Sequence, residues 1–207
     1  MRGCTLPRAL SKPEVAEFRE RLCEAATRLF AERGPAGFSM RELATALGVS
    51  PMTPYRYFRD KDEMLAAVRA RAFDRFAGVL ERAFAKPGNA AERAAAAGDA
   101  YVKFAFGEPQ AYRMMFDLSQ PGEEKYPDLM RATTRARATM TQHIPGMIAE
   151  GLLQGDPDEI GHVFWAAIHG AVVLQLAGKL THEFDFDRLN DAVMRALLEG
   201  FRPERAS

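Results

Sequence analysis

Residues 50–61 read SPMTPYRYFRDK, with Tyr55 and Tyr57 interleaved among Arg56, Arg59 and Lys61 and with prolines at 51 and 54. A buried core rejects such cations, and an ordinary solvated surface has no use for two large phenols side by side. The segment just before it, SMRELATALGV at 39–49, explains the pairing. Ser39 caps a short helix whose inward face is Met40, Leu43, Ala44 and Leu47. Gly48 ends that helix, because glycine accepts the left-handed backbone of a helix terminus. Val49 is the one apolar residue of the turn, and Ser50 caps the next helix with Pro51 at its first position, where a missing N–H costs nothing. Two short helices joined by a glycine turn are the helix-turn-helix pattern, which offers the start of its second helix to the major groove of DNA.

That reading assigns roles by chemistry. The capped helix starts at Ser39 and Ser50 present backbone N–H groups to phosphate oxygens. Tyr55 and Tyr57 reach far and donate a hydroxyl, while Arg56 and Lys61 carry the charge that displaces counterions. Met52 and Thr53 are placed for base edges or a thymine methyl, and Arg41 for a bidentate guanine contact. Pro54, four residues past the cap, deletes the first intrahelical hydrogen bond and crowds the Ser50 carbonyl; it is expected to push Thr53 out of α geometry. A distorted first turn favours phosphate contacts from Tyr57 and Lys61 over base contacts from Met52 and Thr53.

Outward from this segment the chain is helical throughout, with about nine helices and no strand alternation: an all-α fold. Ser11 and Glu14 form a capping box for a first helix carried by Val15, Phe18, Leu22, Ala25, Ala26 and Leu29, stopped by Gly34, Pro35 and Gly37. Lys61 and Asp62 open a fourth helix through Met64, Leu65, Val68, Phe73, Phe76 and Leu80. Asn89 and Glu92 cap another running to about Phe106, and a short one follows from Pro109 to Phe116. Residues 117–125 read as a loop, Leu129, Thr133, Ala136, Met140 and Ile144 mark a long helix that Pro145 kinks or ends, Asp156-Pro157 opens a helix to about Gly178, and a last stripe runs from Leu189 to Phe201. The organisation expected is a helix-turn-helix domain over 1–60, with 1–11 flexible, and a larger helical ligand-binding and dimerisation domain over 61–207.

The bulk numbers agree. The 207 residues carry 28 basic and 28 acidic groups. Residues 1–61 hold eleven Lys/Arg against seven Asp/Glu, a basic head on an acidic body, as suits an anionic partner. Cys4 and Cys23 offer no disulfide framework, which fits a reducing cytosol. The N-terminus lacks the apolar run of a signal peptide, and the apolar stretch from Val163 to Gly178, interrupted by His169 and Gln175, is shorter than the ~20 residues of a bilayer span. The expected location is cytoplasmic.

Residues 15–64 also resemble the DNA-binding domain of the TetR family of bacterial repressors. The resemblance rests on AATRLFAERGPAGFSMRELATALGVSPMTPYRYFRDKDEML, with Lys61 opening helix four, Tyr55 in the recognition helix and Phe58 buried. It implies that Ser39, Arg41, Thr53, Tyr55, Tyr57 and Lys61 touch DNA. Pro54 departs from the leucine usual in such families. A looser resemblance joins YVKFAFGEPQAYRMMF and FWAAIHGAVVLQLAGKL to the ligand-binding half of a TetR subgroup marked by a tryptophan followed by His-Gly, here Trp165, His169 and Gly170.

Independently of that resemblance, the helix from Val163 to Leu176 is apolar nearly all round, so one face must meet a partner. Paired with the last helix in two chains it makes a four-helix interface, with Val172, Val173, Leu176, Met194, Leu197 and Phe201 as candidates. Dimerisation also fits two recognition helices ~34–36 Å apart on a pseudo-palindromic operator. Tyr101, Phe104, Tyr112, Met115, Phe116, Met140, Trp165 and His169 suit the wall of a site for a small lipophilic or aromatic effector, though plain core is the simpler role for most of them. No cofactor or metal is expected: Glu159 and His162 make a single E-x-x-H, where a di-iron bundle uses two. No Ser-His-Asp spacing, phosphate loop or CxxC supports an enzyme. The expected function is a homodimeric repressor released from double-stranded DNA by a small molecule; a DNA-binding regulator without an inducer is the alternative.

Overall fold

The computed structural model describes residues 11–34, 37–116 and 122–204. The expected flexible residues 1–10, Cys4 among them, and Pro35 lie outside that set. Nine α-helices and two single 3₁₀ turns make up the described chain, with no strand: α1 Lys12–Arg33, α2 Met40–Ala46, α3 Lys61–Phe84, α4 Ala90–Gly107, α5 Pro109–Met115, α6 Pro127–Thr141, α7 Ile144–Ala149, α8 Pro157–Leu176 and α9 Phe186–Gly200. Apart from Ser50, the caps fall where the sequence puts them. Ser11/Glu14, Ser39/Glu42 and Asn89/Glu92 each form a reciprocal capping box. Gly48 carries the positive φ of 65° that lets α2 end and the chain turn. Pro145 lies in the first turn of α7 and so separates it from α6.

One expectation fails. The third helix shrinks to a 3₁₀ turn at Pro54–Arg56, preceded by turn residues rather than by a capped α-helix. Ser50 acts through its backbone, its carbonyl accepting from the Thr53 N–H at 2.8 Å. The cause is the missing N–H of Pro54, which leaves the segment mainly 3₁₀-type bonds, with one α-type bond from the Phe58 N–H to the Pro54 carbonyl at 3.0 Å. Thr53 nevertheless keeps α-region angles (φ −62°, ψ −47°), against the usual effect of a following proline. Pro54 is buried in the angle beside α2, and that packing overrides the local preference.

Two main cores share α3. Its first turns bury Met64, Leu65 and Val68 with Leu22, Ala26, Phe30, Leu43 and Phe58. Its later turns bury Phe73, Phe76, Ala77 and Leu80 with Tyr101, Phe104, Leu129, Ala132 and Ala136. Short α5 stitches the two together, with Met114 in the first core and Met115 and Tyr112 in the second. A smaller cluster of Ala90, Ile144, Met147, Leu153 and Ile160 closes the far end. Along the α3–α6 seam, Arg131 and Arg135 bind Asp74 at 2.8 and 3.0 Å, and Arg135 also reaches Glu81. These pairs are half-exposed, so they set register more than they stabilise. Gly161 allows α8 to cross the end of α6: a Cβ there would lie 2.6 Å from Thr141 Cγ2.

α8 is 20 residues long, longer than the apolar run read from sequence, and by length and composition it passes for a membrane span. Only 22% of its most apolar window is buried. Val173, Leu174 on α8 and Leu198 on α9 are exposed. Val172, expected at a subunit interface, is instead fully buried in the chain's own core. The helix turns through about 100° per residue, so Val172 and Val173 face opposite environments.

Phe76 packs edge-on against Tyr101 and Phe104, with centroids 5.1 and 5.3 Å away. Phe76→Ala is expected to lower unfolding free energy by about 3–5 kcal/mol, measured by urea denaturation followed by circular dichroism.

Candidate functional site

The outward ridge of the N-terminal head is built from α2, the turn and the start of α3. Arg41, Met52, Tyr55 and Arg56 are exposed there, Met52 at 67% and Tyr55 at 47%. Thr53 is half-buried beside them. The Ser39 hydroxyl accepts from the Glu42 N–H at 3.2 Å and also meets the Glu42 carboxylate at 2.9 Å, which holds the α2 start in shape. Glu42 in turn pairs with Arg33 at 3.0 Å.

Tyr57 and Lys61, expected beside the others, are differently placed. Tyr57 is half-buried, its ring 4.8 Å from Phe18 in α1. Lys61 points its ammonium at the Phe38 carbonyl and over the Phe38 ring, 4.3 Å from the centroid, and burial pulls its pKa below the usual lysine value. Both residues therefore help fasten the turn to the head. Arg19 does the same and was not singled out in the sequence: its guanidinium lies 4.2 Å over the Phe58 ring and donates to the Tyr57 carbonyl. Its only sequence signal is a cation one position after an inward-facing phenylalanine of α1. A 3₁₀ turn too short to hold itself is thus clamped from outside by α1, α2 and α3.

In the body, α4, α6, α7, α8 and α9 surround a cavity of about 370 Å³. Leu80 and Phe84, the last turns of α3, form part of its wall. A second space of about 130 Å³ lies next to it, and Met140 and Trp165 border both. Of the effector residues expected from sequence, Tyr101, Met140 and Trp165 line the larger cavity, and Met115 and Phe116 only the smaller. Phe104, Tyr112 and His169 line neither. Tyr112 and His169 belong to a hydrogen-bonded group instead: Tyr101 Oη lies 2.6 Å from Tyr112 Oη, which lies 2.7 Å from His169 Nδ1. Burial raises the Tyr101 pKa to about 12, raises that of Tyr112 as well, and lowers that of His169. All three stay neutral and mutually satisfied, which is the role of a structural polar network. Phe104 is core behind Phe76.

Met194, read as an interface residue, lines the larger cavity. Phe201 packs on Phe164 with centroids 6.3 Å apart, and its carbonyl accepts from the Gln154 N–H at 2.8 Å, so it seals the body from within. Leu176 and Leu197 are half-buried. Wall residues that sequence reading missed include Phe84, His143, Phe164, Ile168 and Asn190. A usable signal for His143 was its place at the helix break before Ile144-Pro145. His162 is engaged by its own helix, 2.7 Å from the Asp158 carbonyl, and no group of three or more possible metal ligands occurs among the described residues. Cys23 is buried in the head core, which raises its thiol pKa.

His143 stacks on Phe84, centroids 5.2 Å apart, and desolvation lowers its pKa to about 4. The unfolded chain then binds the extra proton between pH ~6.5 and ~4, so stability rises with pH across that window and is fully present above it. Acidification from pH 6.5 to 4 is expected to cost up to about 3 kcal/mol through this group. The His143→Gln variant should show a shallower fall in urea-melt stability over the same range.

Comparison with known proteins places the chain. Residues 22–68 match the model for bacterial regulatory proteins of the tetR family, and residues 94–197 match the tetracyclin repressor-like C-terminal domain. The HTH-type transcriptional activator FasR of Mycolicibacterium smegmatis is 30% identical over 135 residues, spanning 65% of this chain but only 58% of FasR. A Rhodococcus sp. RHA1 protein of unknown function superposes with a TM-score of 0.78 at 26% identity, covering 96% of this chain and 100% of that one. FadR of Bacillus subtilis, solved in complex with stearoyl-CoA, shares the fold with a TM-score of 0.72 at 18% identity, covering 88% and 99% of the two chains. With both its head and its body matched, the chain belongs to the TetR family of helix-turn-helix transcriptional regulators.

Proposed function

We propose that the protein is a homodimeric repressor that leaves a pseudo-palindromic operator when a small lipophilic or aromatic molecule enters the larger cavity. The observation that carries this reading is the course of α3. One unbroken helix of 24 residues starts against the 3₁₀ turn of the DNA-facing ridge and ends with Leu80 and Phe84 in the cavity wall. At 1.5 Å per residue it spans about 36 Å. An occupant that pushes on Phe84 tilts a rigid rod whose other end holds the recognition turn. The shift in spacing between two heads lowers affinity for a fixed pair of half-sites.

Direct contact with DNA falls to Arg41, Met52, Thr53, Tyr55 and Arg56, with backbone N–H groups at the start of α2 behind Ser39. Ser50, Tyr57 and Lys61 support that ridge, and their outer atoms reach phosphate only at its edge. The second copy docks on the apolar outer face of α8 and α9, through Val173 and Leu174, with Leu176 and Leu197 at its margin and Leu198, which also borders the cavity, beside them. This accounts for a helix apolar enough to resemble a membrane span yet largely uncovered in one chain. The stearoyl-CoA bound by the Bacillus subtilis neighbour is lipophilic along its acyl part, in keeping with a lipophilic occupant here. FasR is named an activator, so the direction of control depends on where the operator lies relative to the promoter.

Tyr55→Ala and Arg41→Ala are each expected to weaken operator binding at least about tenfold in a gel shift, while the sedimentation coefficient stays that of the dimer. Wild-type binding by both variants would mean that the DNA face is elsewhere. Leu174→Glu should yield monomers in sedimentation equilibrium and lose operator binding with them. Deleting the chain from its host should raise transcription from its own operator; a fall would overturn repression and leave DNA binding intact.

A further inference from the structure

We propose that the larger cavity selects an uncharged lipophile whose head group both donates and accepts a hydrogen bond, an alcohol or an amide, oriented between His143 and Asn190. This rests on the cavity being the effector site and adds the chemistry of what it takes. The wall is apolar over most of its extent, with alanines of α4, Leu80, Phe84, Phe164 and Trp165. Within it, His143 Nδ1 and Asn190 Oδ1 are buried and have no hydrogen-bond partner among the described residues. They come from different elements, the α6–α7 turn and α9, and both border the same cavity, so an occupant of it lies against both elements. Stacking on Phe84 fixes the plane of the imidazole. The Thr139 hydroxyl, also in the wall, is already committed to the Ala136 carbonyl at 2.6 Å.

Four kinds of occupant fit unequally. A plain hydrocarbon leaves the imidazole nitrogen and the Asn190 side-chain oxygen unsatisfied in an apolar wall, a penalty that a hydrogen-bonding head group removes. A carboxylate fares worse: among the described residues no Lys or Arg lines the cavity, and the wall carboxylate Asp99 repels it. The imidazole, neutral at physiological pH because burial lowers its pKa, supplies one donor or acceptor and no charge. A neutral hydroxyl or amide satisfies both groups and keeps its chain in the apolar part. An ester, which only accepts, satisfies half of the pair.

Trp165 is the single tryptophan of the chain and borders the cavity, so its emission reports occupancy without DNA. Titration with 1-decanol, methyl decanoate and decanoate at pH 7 is the test. The expected order is decanol tighter than either of the others by about tenfold or more, a difference of ~1.4 kcal/mol. Asn190→Leu and His143→Phe, each checked for helical content by circular dichroism, should bring decanol within about twofold of methyl decanoate. Decanoate binding as tightly as decanol, or a preference unchanged in both variants, overturns the proposal. The wild-type ranking decides the matter even if both variants misfold. Should all three bind alike, the effector site stands and its selectivity falls; should none perturb Trp165 emission or the melting temperature, the effector site falls and this inference with it.

Discussion

The architecture depends on α3 being continuous. Half of its 24 residues are buried, and the apolar ones are divided between two cores along the same rod. Apolar burial of this kind is worth about 25 cal/mol per Å² removed from water, so breaking the helix in the middle exposes both cores at once. A helix held so firmly at each end transmits displacement rather than absorbing it. In the proposed function, that stiffness is what links the cavity to the recognition turn.

The recognition turn shows the opposite economy. With Pro54 in it, the segment has too few internal hydrogen bonds to persist alone, and its shape is imposed by neighbours: the Arg19 guanidinium over Phe58, the Tyr57 ring against Phe18 and the Lys61 ammonium over Phe38. These contacts use residues that by composition look made for DNA. The ridge that remains outward, Arg41, Met52, Tyr55 and Arg56, is smaller than the sequence suggests and is held rigidly. A pre-shaped reader loses less conformational entropy on binding than one that must fold on the duplex.

Helix positions, caps and the head fold were legible because they are local properties: capping boxes, a glycine at positive φ and apolar spacing depend on neighbours within a turn. The recognition segment was half legible; the proline and its effect on hydrogen bonding could be read, but the packing that restores α geometry at Thr53 could not. In the body the sequence identified aromatic and methionine-rich helices, yet their sorting into wall and core depends on interhelical angles. Tyr112 and His169 satisfy each other only because α5 and α8 meet, and Val172 faces inward only because α8 is rotated that way. His143 and Asn190 escaped notice because the absence of a partner is a property of three-dimensional surroundings.

Short α5 has a practical consequence for exchanging parts among relatives. Met114 plugs the head while its neighbour Met115 plugs the body. A hybrid joined at residue 60 would graft a foreign head onto four native side chains, Met64, Leu65, Val68 and Met114, shaped for the old one. Such a hybrid would carry a void or a clash at its seam. A workable graft would transplant the opening turns of α3 together with position 114, treating residues fifty apart in the chain as a single inherited unit.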